Sequence, residues 1–286
     1  MPLEDYRFDG QQKLVLHRFP TTAEEEKENK PELVKKTAEN LERAALLQEM
    51  LYAAGQEGLV MAIQARDAAG KDSLIKHVFS GLNPAALEVH SFKAPSSTEL
   101  SHDYLWRIHA ALPPRGKIGV FNRSQYEDVL TVRVHHMEQG YRLAPRCLTE
   151  DFFQRRYAQL RNWEEYLWEN GYRMVKILLH VSREEQRKRF MERIEREEKH
   201  WKLNTGDMKE RAAWAAYDEA FEDAVNATGT PHSPWYVIPA DNKWYTRYLV
   251  SEVLVHTLEE MHPAWPELDP EEAARIPQMV ADLQKD

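Results

Sequence analysis

The chain reads as an α/β protein: a buried parallel sheet of five strands covered on both faces by helices, a three-layer αβα arrangement. Three observations lead there. Five short β-rich runs recur along the middle of the sequence: LVMAIQA (59–65), LEVHSF (87–92), KIGVFN (117–122), RMVKILLHV (173–181) and WYVIPA (235–240). Amphipathic stretches separate them, which implies βαβ crossovers rather than hairpins. A length of 286 residues with 42% apolar and 30% charged side chains suits one large α/β domain with a sizeable core.

Each element has a local reason. Residues 1–55 form an N-terminal extension, and its 21–55 stretch predicts a helix. Pro31 suits a first turn, Val34, Ala38, Leu41 and Ala45 recur at helical spacing, and Gly55 can end it. Residues 56–250 form the core. Its first run feeds a loop and then the helical SLIKHVFSGL, and Gly171 closes the long helical stretch LTEDFFQRRYAQLRNWEEYLWENG before the fourth run. Ser182 and Glu185 have capping-box spacing, so a helix is expected to begin there and open a helical lid over about 182–211. Residues 251–286 form a C-terminal helix and tail, with Asp269 as N-cap and Pro270 after it.

Composition narrows the function. No apolar run reaches the roughly 20 residues of a membrane helix. MPLEDYRFDG lacks an export pattern and Cys147 is a lone cysteine, so a cytoplasmic protein without a membrane partner is expected. His135 and His136 are adjacent rather than set one helical turn apart, which does not suggest zinc. The net charge of −9 is uneven: residues 250–286 hold two basic and nine acidic side chains, whereas 104–161 hold ten basic and five acidic ones. Local field governs a polyanion site, so the overall charge does not exclude one.

IQARDAAGKDSL (63–74) follows the first strand and nearly spells the phosphate loop G-x-x-x-x-G-K-[ST]. Ala65 replaces the first glycine and Asp72 the hydroxyl. In a strand–loop–helix turn, Ala68, Ala69, Gly70, Asp72 and Ser73 would cradle phosphate with backbone N–H groups, and Lys71 would add a point charge. A carboxylate inside an anion-binding loop is repulsive without a cation, which makes Asp67 the candidate ligand for Mg²⁺. The alternative is an ordinary turn with a surface lysine.

KIGVFNRSQYEDVL (117–130) is the second constellation. Its strand ends on the neutral Asn122. Arg123 can donate to phosphoryl oxygens, and Asp128 can share the metal with Asp67. Ser124 and Glu127 also have capping-box spacing, so Glu127 could merely start a helix. Beyond 182, helical geometry puts Arg189, Arg193 and Arg196 on one face. They form either a solvated face with Glu185 and Glu192 or a basic lid, with Lys202 beyond. Lys93 and Arg133 could extend a track for a long phosphate chain.

QARDAAGKDS followed by FNRSQYEDV resembles the polyphosphate kinase 2 family. KAPS (93–96), SREEQRKRFMERI (182–194) and WYVIPADNKWYTRY (235–248) extend the likeness over about 59–250. The resemblance implies a P-loop kinase of thymidylate-kinase-like fold, moving phosphoryl groups between inorganic polyphosphate and adenine nucleotides with Mg²⁺. It implies Asp67, Gly70, Lys71 and Asp72 as the loop residues, Arg189 and Arg193 as lid arginines, and a homo-oligomer, dimer or tetramer. Asn122 departs from the family's frequent aspartate. Glu127 resembles the branch that accepts both AMP and ADP. The acceptor oxygen is already anionic near neutral pH, so no general base is needed, and Glu127 would help place the nucleotide. An ATP-dependent nucleoside or nucleotide kinase is the alternative. A nucleic-acid-binding module would leave the Asp67–Lys71 spacing without a purpose.

Overall fold

All five runs are strands in a computed structural model that describes residues 2–285, and a sixth strand joins them. The strands are β1 (Arg7–Phe8), β2 (Gly58–Ala65), β3 (Leu87–Ser91), β4 (Ile118–Asn122), β5 (Tyr172–His180) and β6 (Trp235–Pro239). They lie in the order β1-β6-β5-β2-β4-β3. Pairing is parallel except at β1, which runs antiparallel to β6 with Phe8 opposite Trp235. The expected five-stranded, wholly parallel sheet is corrected to six mostly parallel strands. A two-residue strand carries no readable alternation; buried Tyr6 and Phe8 hold it to the edge.

The helices are α1 (Lys30–Ala54), α2 (Lys71–Phe79), α3 (Trp106–Ala110), α4 (Thr131–Val134), α5 (Phe152–Glu169), α6 (Arg183–Glu195), α7 (Asp207–Ala212), α8 (Trp214–Thr228), α9 (Lys243–Glu260) and α10 (Pro270–Leu283). The helix expected over 21–55 begins nine residues later, at Lys30, and Gly55 ends it in the left-handed conformation. Alternate side chains of β2 face opposite layers. Leu59, Met61 and Ile63 pack with Leu47 and Leu51 of α1, Leu74 and Val78 of α2, and Leu249 and Val253 of α9. Val60 and Ala62 pack on the other face with Ile108 of α3 and Leu167 of α5. Further along that face α8 contributes Phe221 and Val225. α9 runs through position 250, where the core was expected to end, and its Val250 to Leu258 face is buried. Asp269 caps α10 as expected, accepting from the Glu271 N–H at 2.8 Å. No described helix is long and apolar enough to cross a membrane.

Register sets where the site can lie. Ile63 pairs with Asn122 and Ala65 with Leu179, so the carboxyl ends of β2, β4 and β5 fall on one edge. Segments 66–70, 123–128 and 181–182 leave the sheet there, the position where open parallel sheets bind ligands.

Beneath that edge lies a buried ion pair. Lys176 Nζ reaches Glu164 Oε2 at 2.5 Å and the Thr228 carbonyl at 2.8 Å, with both charged side chains almost fully buried. Tyr126 Oη donates to the other carboxylate oxygen at 2.7 Å, tying the pair to the turn after β4. Losing one partner would leave the other charge uncompensated. Lys176→Met should cost about 3–5 kcal/mol in urea unfolding, and Lys176→Met with Glu164→Leu should be the more stable of the two variants.

Candidate active site

The segment after β2 is held by side chains behind it. Arg66 is buried, ion-paired with Asp218, and lies 4.0 Å over the ring of Trp214. Ala68 is left-handed, φ 60°, and Gly70 has φ 109°, a conformation that favours glycine. α2 then begins at Lys71 and presents its positive end to the same side. Lys71 Nζ donates to the Ala65 carbonyl at 3.1 Å, curling back over the loop. Burial and the neighbouring Arg123 pull its pKa down to about 8, against the opposing pull of Asp67, Glu127 and Asp72.

Arg123 joins this loop to the turn after β4. Its Nη2 donates to Asp67 Oδ1 at 2.7 Å and its Nη1 to Glu127 Oε2 at 3.1 Å. Its backbone is left-handed, φ 64°, and its N–H is fixed to the Ile63 carbonyl of β2 at 3.1 Å. Glu127 first, and Asp67 after it, hold the guanidinium pKa above its ordinary value despite burial. Glu127 also accepts from Thr131 at 2.7 Å. Ser124 does cap the turn, through its hydroxyl and the Tyr126 N–H. Glu127 does not complete a capping box: its carboxylate is turned to Arg123. Asp67, Lys71, Arg123 and Glu127 therefore share one basin.

Asp128, the expected second metal ligand beside Asp67, lines the same cavity as Arg123 and Glu127. Tyr141 Oη donates to its Oδ1 at 2.5 Å, and Arg156 Nε lies 2.7 Å from its Oδ2. Oδ1 accepts a hydrogen bond and Oδ2 is met by an ion pair without hydrogen-bond geometry, and burial raises the pKa against the pull of Arg156. Asp128 knots the wall of this cavity, of about 1230 Å³, which opens beside Arg123 and Glu127. Phe92, Tyr104, Arg107, Tyr141 and Arg156 line it. The guanidinium of Arg156 lies 4.1 Å from the Tyr104 ring centroid. Phe92, Tyr104 and Tyr141 lie in connecting segments, whereas Arg107 belongs to α3 and Arg156 to α5, so only tertiary packing brings the five to one wall. No tryptophan lines the cavity; Trp235 is core and Trp201 is exposed.

The remaining candidates divide. Lys93 lines the cavity. Asp72 accepts from Asn122 at 3.0 Å and from Lys202 at 2.6 Å, linking the strand end, α2 and the segment after α6. Burial pushes its pKa up, but those two donors outweigh it and hold it down. Ser73 accepts from Arg247 at 3.4 Å. Arg193 lies inside the 182–211 segment, donating to the Lys202 carbonyl and pairing with Asp207 at 3.6 Å. Arg196 points outward to Glu192 and Glu198. Arg133, expected on a phosphate track, donates to Tyr157 at 2.7 Å and pairs with Asp223 at 2.7 Å. Arg189, expected as a lid arginine, donates to backbone carbonyls of the loop and of the segment after β6.

A lysine, a helix start and an arginine with two acids, gathered at the carboxyl edge of a parallel sheet beside a nucleotide-sized cavity, define a phosphate-handling α/β enzyme. The family described as Polyphosphate kinase 2 matches residues 24–266, and the chain belongs to it. A Rhodopseudomonas palustris protein named ADP-polyphosphate phosphotransferase is 42% identical over 99% of this chain and 98% of its own. A Meiothermus ruber protein named AMP/ADP-polyphosphate phosphotransferase is 44% identical over 79% of this chain and 80% of its own. The crystal structure of Polyphosphate Kinase 2 from Arthrobacter aurescens TC1 is 39% identical, with a TM-score of 0.79, over 86% of this chain and 84% of that one.

Lys71 makes the basin's charge testable. A bound polyanion favours the ammonium and moves its pKa from about 8 back toward the ordinary 10.5. Tripolyphosphate binding at pH 9 should therefore take up a proton, and affinity should fall as pH rises through about 8. Calorimetry in buffers of different ionisation enthalpy measures the uptake, and Lys71→Arg, which stays charged, should abolish it.

Proposed function

We propose that the protein transfers phosphoryl groups between inorganic polyphosphate and AMP or ADP, forming ADP and ATP, reversibly and with Mg²⁺. The observation that carries this reading is the Arg123 bridge from Asp67 to Glu127, set between Lys71 and the cavity. Phosphoryl transfer needs positioned charge more than covalent help. In this reading the chain folds as a P-loop kinase of the thymidylate-kinase-like type. Lys71 and the N–H groups of the 67–73 turn hold the phosphate chain, and the nucleotide occupies the cavity. Arg123 faces the transferred group from between them. The acceptor phosphate oxygen is already an anion, so no side chain has to remove a proton.

The carboxylates present fit a magnesium ion at one position. Asp67 Oδ1 is taken by Arg123, while Oδ2 accepts nothing among the described residues. Magnesium is commonly held by one or two carboxylates together with substrate phosphates. Asp67 would thus hold the ion, which when bound neutralises charge on the phosphate oxygens. Asp72, with both oxygens accepting hydrogen bonds, would not, and Asp128 would have to exchange its Arg156 ion pair to join Asp67.

Acceptance of AMP as well as ADP rests on Glu127 at the cavity mouth and on the likeness to the Meiothermus ruber protein named for both. An AMP phosphate lies one unit further from the donor than the terminal phosphate of ADP, and Glu127 can hold water or an ion in that gap. Incubation with polyphosphate, Mg²⁺ and AMP, without ATP, should yield ADP and then ATP. Glu127→Asn should lower kcat/KM for AMP by about tenfold more than for ADP, a difference of about 1.4 kcal/mol. No ADP from the wild-type protein would refute the reading.

A further inference from the structure

Resting on that reading of the loop as the phosphate cradle, we infer that Arg189 is a positioning residue for it. Arg189 holds the loop's carbonyls away from the phosphate chain so that its N–H groups face the chain, and it does not touch phosphate itself.

A guanidinium has five N–H donors, and Arg189 spends all five inside the protein. Nε donates to Glu185 at 2.9 Å. Nη1 donates to the carbonyls of Ala68 at 3.2 Å and Ala69 at 2.6 Å. Nη2 donates to those of Ala240 at 2.6 Å and Asp241 at 3.1 Å. The side chain is 8% exposed. A planar fork with both arms filled has nothing left to offer an anion.

The loop shows what the clamp accomplishes. Every carbonyl from Ala65 to Ala69 has a donor within the protein. Lys71 serves Ala65, the Ala69 N–H serves Arg66, Gln186 serves Asp67 at 2.9 Å, and Arg189 serves the last two. The N–H groups of Asp67, Ala68 and Gly70 donate to nothing among the described residues. Carbonyls are thus drawn to one side and amides left on the other, the polarity an anion requires. Ala68 sits at φ 60° within this run, in a conformation unfavourable for a residue with a Cβ. Strain of that kind persists only where surroundings impose it, and Arg189 grips that peptide. By joining α6 to the loop and to the segment after β6, the clamp also makes the first turns of α6 part of the fixed frame.

The test uses Arg189→Gln in the wild-type and Ala68→Gly backgrounds. A one-ångström loosening of the loop is expected to lower kcat/KM by roughly 100-fold. The salt dependence of tripolyphosphate affinity should keep its wild-type slope, because no phosphate contact is lost. Ala68→Gly removes the strain, so it should raise kcat/KM at least several-fold more in the Arg189→Gln protein than in the wild type. A slope reduced by about one unit, as for a lost direct contact, or an equal effect of Ala68→Gly in both backgrounds, would overturn the inference. Should Arg189→Gln fail to fold, ¹⁵N spectra of the wild-type guanidinium decide: slow rotation and Nη shifts unmoved by tripolyphosphate are expected, and perturbed Nη shifts refute it. Failure of wild-type protein to transfer phosphate from polyphosphate would instead strike the functional reading itself.

Discussion

Arg123 stands between two carboxylates that belong to different loops, and the rest of the site depends on that bridge. Asp67 comes from the turn after β2 and Glu127 from the turn after β4. Without the guanidinium, two acids would face each other across the basin. With it, two negative charges become the scaffold for one positive one, and the two turns are held in register. The fixed backbone of Arg123, left-handed and bonded to β2 through its N–H, means that the sheet itself places the charge. Fixed charges that need no reorganisation are what a phosphoryl transition state rewards.

The supports behind the basin follow a common plan. Arg66 is gripped by Asp218 and by aromatic rings of α8, and Arg189 by carbonyls on two segments. Lys176 and Glu164 neutralise each other under the Tyr126 turn. Buried charge is costly unless paired and hydrogen-bonded, so each of these groups is pinned to one geometry. Beyond Arg193 the segment is more exposed and its ion pairs lie at the surface, where they contribute little to stability. The buried, paired charges thus cluster behind the basin and the exposed ones lie toward 196–206.

The sequence made the parallel sheet legible because its long strands are uninterrupted apolar runs separated by helical periods. It also brought Asp67, Lys71, Arg123 and Glu127 forward, because each lies within a few residues of a strand end. Contacts made by tertiary packing were not legible. Ser124-x-x-Glu127 has capping spacing, yet an arginine one residue earlier captures the carboxylate. Asp128 has the chemistry of a metal ligand, and nothing near it in the sequence announces that Tyr141 and Arg156 meet its carboxylate. Arg189 and Arg193 share a helix face, yet one reaches the carbonyls of the 66–70 loop and the other the Lys202 carbonyl within its own segment. The two-residue strand at Arg7–Phe8 had no pattern to show.

A double-mutant cycle on Asp67 and Glu127 tests the bridge most directly. Asp67→Asn and Glu127→Gln each free one arm of Arg123, and kcat/KM is measured for the two single variants and the double. If one guanidinium joins them, the losses fall short of additivity or exceed it by at least about tenfold, a coupling of about 1.4 kcal/mol. Losses that simply multiply would mean that the two carboxylates act independently, and that the bridge is not what organises the site.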